Sequence, residues 1–148
     1  MIAVANDDLR PFTESAYAWR WQDPKYDVLP DAVLSSVQAI RPARARTLAM
    51  HLHDLHLWAL DLPGGTIDTA EVPENEVSLA LVSIDSDLAQ PVVASWGHDD
   101  AILLPWSNFA RYWSAFCYPS SDDVTVVPLS EPWALSYAHH EKFFWRRR

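Results

Sequence analysis

The chain reads as an α+β domain, with helices first and then a mostly antiparallel sheet of about five strands carrying one inserted aromatic helix. Two observations predict this. Before residue 60, apolar residues recur at three- and four-residue spacing, most clearly at Ala45, Leu48, Leu52, Leu55 and Ala59. From Val77 onward they alternate, or run in short β-branched stretches broken by turn residues. A chain of 148 residues predicts a single domain, residues 1–148, able to bury roughly 70% of its unfolded surface.

Taken in order, residues 1–15 are polar and predict a loose arm. Tyr17, Trp19 and Trp21 alternate with Ala18 and Arg20, which predicts a short strand or an extended docking segment. Asp31 is an N-cap for a short helix with Val33, Leu34, Val37 and Ile40 on one face. Pro42 then opens a second helix, which Pro63-Gly64-Gly65 stops. Residues 66–76 hold Asp68, Glu71, Glu74 and Glu76 and predict an acidic surface loop.

In the second half, Val77, Leu79 and Leu81 alternate as a strand would. Residues 92–96 and 101–106 predict two strands joined by the turn Gly97-His98-Asp99-Asp100. Ser107 is placed to cap a helix whose Phe109, Tyr112, Trp113 and Phe116 share a face, with Pro119 closing it. Residues 124–127 and the alternating Trp133, Leu135 and Tyr137 predict further strands, and residues 143–145 pair back on the latter. Arg146, Arg147 and Arg148 read as a frayed terminus.

Composition narrows the function classes. The net charge of −9 argues against a non-specific nucleic-acid binder and suits a basic protein partner. A single cysteine, Cys117, excludes an internal disulfide and points to a reducing, cytoplasmic setting. No stretch approaches the ~20 apolar residues of a membrane span, and the acidic start lacks the cationic region of a signal peptide. Three glycines leave no phosphate-cradling loop, so no nucleotide or other cofactor is expected. No serine sits in a nucleophile elbow, and Cys117 lies at the wrong end of its helix to be an activated thiolate.

Three groups of polar residues are candidates for chemistry. His51, His53, Asp54 and His56 are a zinc-type set by composition. On a helix, His51 and His56 diverge by about 140°, so only His53 and His56 can reach one ion. Their ordinary role is to flank the apolar stripe, and a small metal-dependent hydrolase is the alternative. His139-His140-Glu141 is either a polar turn or a proton-transfer group. The acids at strand boundaries, Asp99, Asp100, Asp122, Asp123 and Glu131, are good turn formers and the expected partner-binding residues.

The stretch from Trp96 to Val124, which ends LPWSNFARYWSAFCYPSSDDV, followed by WALSYAHHEKFFW (residues 133–145), resembles small uncharacterised bacterial proteins. Its closing strand, His-Glu turn and strand also resemble the SUKH-type immunity proteins of bacterial toxin systems. The resemblance covers the last third of the chain and implies an α+β module that binds and blocks a partner. The expectation is therefore a non-enzymatic, acidic protein-binding module, tryptophan-rich, with tryptophans anchoring the contact. A homodimer or larger homo-oligomer through such tryptophans is a third reading.

Overall fold

The computed structural model describes residues 1–54 and 61–148. Its elements in chain order begin with β1 (Leu9–Pro11), α1 (Ala18–Gln22), α2 (Asp31–Leu34), β2 (Gln38–Ile40) and α3 (Pro42–Asp54). Then come β3 (Gly64–Asp68), α4 (Glu74–Val82), β4 (Pro91–Gly97), β5 (Asp100–Pro105), α5 (Trp106–Arg111) and α6 (Trp113–Phe116). Strands β6 (Val124–Pro128), β7 (Trp133–Ala138) and β8 (Lys142–Arg147) complete the chain. Among the described residues the strands form one eight-stranded sheet in the order β1-β2-β5-β4-β6-β7-β8-β3. Every pairing is antiparallel. The α+β class therefore holds. No helix among the described residues is long and apolar enough to cross a membrane.

Both faces of the sheet are covered, which is why Val92, Val93, Ala94 and Ser95 are all buried in succession. One face carries Val92, Ala94, Ile102, Leu104, Val126, Leu135 and Phe143 against an aromatic layer from α1, α5 and α6. There Trp21, Trp106, Phe109, Phe116 and Trp133 are fully enclosed. Their rings meet tilted, edge-on or offset, with Trp106 and Trp133 at 4.7 Å and Trp21 and Phe116 at 5.4 Å. Trp133 Nε1 donates to Asp85 at 2.7 Å and Trp21 Nε1 to the Ala115 carbonyl at 3.0 Å, which offsets the cost of enclosing those N–H groups. Cys117 lies in the same layer, where burial pushes its thiol well above the ordinary range. The opposite face carries Val93, Ala101, Val127 and Ala134 against Ala45, Leu48 and Leu52 of α3, the expected stripe. Leu55 and Ala59 lie outside the described residues.

Of the strand segments expected in the second half, five correspond to β4 through β8, and the sheet has eight strands rather than about five. The three missed ones are short or glycine-bearing, and they change the description of four segments. Residues 1–15 are not a loose arm: β1 pairs with β2, and Ile2 is buried with its N–H donated to the Leu129 carbonyl. The helix expected to reach Ile40 stops at Leu34, and residues 38–40 join the sheet. The acidic loop at 66–76 is split between the end of β3, a turn, and the start of α4. The three terminal arginines are not frayed, since β8 runs to Arg147 and the Arg148 N–H meets the Pro132 carbonyl.

Four local expectations are also corrected. Residues 77–82 are helical, burying Val77 and Leu81 and leaving Leu79 outside. A run in which every position is apolar or small has no decisive period, and Pro73 with Glu74 and Glu76 in the first turn favours a helix. Residues 18–22 are helical too, because Arg20 rather than Trp19 faces inward. Ser107 makes no cap; Pro105 precedes the first turn of α5, whose leading N–H groups bond to the Gln90 and Leu88 carbonyls. The aromatic helix breaks at Tyr112, which stays partly exposed while Phe109, Trp113 and Phe116 are buried.

Leu48 is the most enclosed large side chain of the α3 stripe. Leu48→Ala is expected to cost about 2–5 kcal/mol of stability, read as a shifted midpoint with an unchanged slope in urea unfolding.

Candidate functional site

The sheet has two polar ends. At one end lie the β4–β5 turn, the loop before β6 and the β7–β8 turn, which gathers Asp99, Asp100, Asp122, Asp123, His98, His139 and His140. Glu131 sits in the β6–β7 turn at the other end. The structure thus brings four of the five expected partner-binding acids together and separates the fifth. Among the described residues, three of the four non-glycine residues with positive φ are at the first end: His98 (52°), Ser120 (65°) and Glu141 (69°). Side chains held in that region cost energy and tend to cluster where a turn is functionally constrained.

Asp122 is not available to a partner. It is buried and receives both arms of the equally buried Arg20 guanidinium, at 2.6 and 3.2 Å, across 102 residues of sequence. It also accepts the Tyr118 backbone N–H at 2.8 Å. The guanidinium is held between the rings of Tyr118 and Tyr17, at 3.9 and 4.3 Å from their centroids. Burial, with Asp27 beside it, pushes the Tyr118 hydroxyl up to about 12. Pairing and caging together satisfy a charge that would otherwise be very costly inside.

This buried pair positions two exposed residues, each next to one of its members in the chain. Trp19, beside Arg20, is 48% exposed and packs edge-on against Tyr26, equally exposed, at 4.7 Å and 79°. A turn closed by the Tyr26 N–H on the Asp23 carbonyl folds Tyr26 back onto Trp19. Val28 adds a third exposed apolar side chain, and Asp23, Asp27 and Asp31, with Lys25, are the charged residues of the same stretch of chain. Asp123, beside Asp122, is exposed and bonded to His139 at 3.0 Å. That bond, from both the ring and the backbone N–H of His139, holds the Asp123 carboxyl below its usual range. Asp99 lies 3.7 Å from Arg46 of α3, while burial and then the Asp99 charge raise Asp100.

The histidines of α3 fall on opposite flanks of the helix. His51 Nε2 lies 2.6 Å from Glu131 Oε1. His53 lines a cleft of about 260 Å³ with Ser95, Gly97, Asp123 and Thr125 at the other end of the sheet. The two therefore do not converge. His56 lies outside the described residues, and among the described residues no three His, Cys, Asp or Glu side chains converge as a metal set. Glu131 is buried, held by His51 and by the Met1 amino group at 3.2 Å. Its place is structural, joining α3 and the N-terminal residues to the β6–β7 turn, and this removes it from the accessible acids.

No family model, curated protein or solved structure matches this chain.

Sequence reasoning placed Trp19 in a strand or docking segment together with Tyr17 and Trp21, and it missed Tyr26 and the buried role of Arg20. The one available signal was that YAWRWQ, read as a helix, puts Trp19 and Trp21 about 200° apart, so that one faces inward and the other out.

Two expected outcomes follow from this geometry. Asp122→Ala leaves Arg20 buried and unpaired and should cost about 3–5 kcal/mol, whereas Arg20→Met with Asp122→Leu should cost far less; equilibrium unfolding of both variants measures the difference. Burial works against the ionised form of Glu131, but His51 and the Met1 amino group outweigh it and place the carboxyl below 4.5. The unfolded chain then takes up a proton near 4.5 that the folded chain still refuses. The Glu131 contribution is present above that pH and is lost as pH falls through the lowered folded value. Glu131→Gln should flatten this acid limb in a series of unfolding curves.

Proposed function

We propose that this chain is a non-enzymatic, acidic protein-binding module acting in the cytoplasm, which engages a basic partner through Trp19, Tyr26 and Val28. The observation that carries the reading is the exposed Trp19–Tyr26 pair, whose Trp19 sits on α1 next to Arg20, itself locked into the interior by Asp122. Exposed tryptophan and tyrosine are the residues that most often concentrate interface energy. A pair already held in place pays little ordering entropy on binding. Asp23, Asp27 and Asp31 belong to the same stretch of chain, with Asp99, Asp100 and Asp123 at the nearby end of the sheet; Asp122 and Glu131 have no part in the contact. Such a rim speeds encounter with a cationic surface more than it tightens the complex. An immunity-type inhibitor is the form of this reading that the C-terminal resemblance implies, and the single buried thiol suits a reducing compartment.

The test begins with a basic protein retained by the immobilised chain from lysate of its source cell, then purified and titrated against wild-type and variant chains. Trp19→Ala with Tyr26→Ala should cost about 2 kcal/mol or more of binding with little change in melting. Asp23→Asn with Asp27→Asn should slow association at low salt and leave dissociation nearly unchanged. Binding that ignores the aromatic pair, or the absence of any retained basic protein, refutes the proposal.

A further inference from the structure

Among the described residues, the two edges of the sheet are finished differently. β1 is three residues long and ends in Pro11, which has no N–H to offer a further strand. β3 has five residues, no proline and no register shift against β8. Its pairing fixes which backbone groups point away from β8. The Arg147 N–H meets the Pro63 carbonyl and the Thr69 N–H meets the Glu141 carbonyl, so odd-numbered positions of this segment bond inward. Gly64, Thr66 and Asp68 therefore direct their backbone groups outward. Gly64 and Thr66 are exposed. The Asp68 carbonyl is already taken by the N–H groups of Glu71 and Val72, but its own N–H is not directed into that turn.

Side-chain charge at this edge is complementary to itself. Arg146 is the register partner of Gly64, and a Cβ at Gly64 would meet the Trp145 carbonyl oxygen at 2.0 Å and then Arg146 Cδ and Nη1, each at 2.8 Å. The missing side chain leaves room there for the guanidinium, whose Nη1 donates to the Trp145 carbonyl at 2.8 Å and would swing outward from that bond on pairing. Asp68 is on the same face of β3 as Gly64, four residues away.

We infer that β3 pairs antiparallel with β3 of a second copy of this chain, about a two-fold axis at Thr66. That register sets Thr66 against Thr66 and Gly64 against Asp68 of the other copy. It offers reciprocal bonds at Thr66 and an Asp68 N–H to Gly64 carbonyl bond on each side. Each Arg146 then reaches over its own Gly64 to the facing Asp68, a span of two strand spacings, or ~10 Å between backbones, within reach of an arginine. The two-fold axis keeps the faces aligned and joins two eight-stranded sheets into one. The contact uses none of the residues Trp19, Tyr26 and Val28.

Solution mass across a dilution series, by sedimentation, tests the pairing with a charge swap. Wild type is expected to dimerise as concentration rises. Asp68→Arg alone and Arg146→Asp alone should each weaken the dimer by about tenfold or more, and the two changes together should restore it. A crosslink keeps the test open if a charge variant misfolds. Thr66→Cys sits where antiparallel Cα atoms approach to ~5.5 Å, within disulfide range. It should form a disulfide-linked dimer in air, while Thr69→Cys should not. A monomer at every concentration with no Thr66→Cys crosslink overturns the inference, as does a dimer indifferent to both single charge changes.

Discussion

A guanidinium and a carboxylate, both cut off from water, hold the two ends of this chain together. Arg20 and Asp122 are far apart in sequence, and each would be intolerable inside without the other. Their pairing coincides with a helix at residues 18–22 in which Trp21 enters the core and Trp19 does not, and with a loop before β6 in which Asp122 accepts the Tyr118 N–H. A hydrophobic pair of similar volume would pack as well, but it would not specify which tryptophan faces out. The charge pair thus contributes orientation more than stability.

Around that fixed point the sheet divides its work between two faces. One face takes nearly all the aromatic mass, under α1, α5 and α6. The other takes small and β-branched residues under a single helix. Large rings with few rotatable bonds fill a deep layer with little loss of side-chain entropy. Alanine and valine at Val93, Ala101, Val127 and Ala134 let α3 sit close on the reverse. The flanks of α3 then reach both ends of the sheet, so His51 meets Glu131 while His53 faces Gly97.

The part of the fold legible in the sequence is the part held by periodic apolar burial. Strands β4 to β8 and the α3 stripe each repeat a pattern long enough to have a phase. β1 and β2 have three residues apiece and no measurable period, and β3 begins with two glycines that read as a stop. α4 was illegible because its run is apolar at nearly every position. The candidate site was half legible. Asp122 and Asp123 are identical neighbours, yet one is caged and the other exposed, and only a partner more than a hundred residues away makes the difference. Glu131 looked like any turn acid until His51 was placed beside it.

The lone cysteine gives the molecule its own clock. Cys117 is 1% exposed at the end of α6, among the rings that Arg20 and Asp122 close over, and its thiol resists ionisation. A reagent in solution can reach that sulfur only when the aromatic layer lifts from the sheet. The rate at which the thiol becomes labelled therefore counts openings of this layer, without any added reporter. Run in native buffer and again in mild denaturant, the same reaction separates a local breath of α6 from the loss of the whole fold.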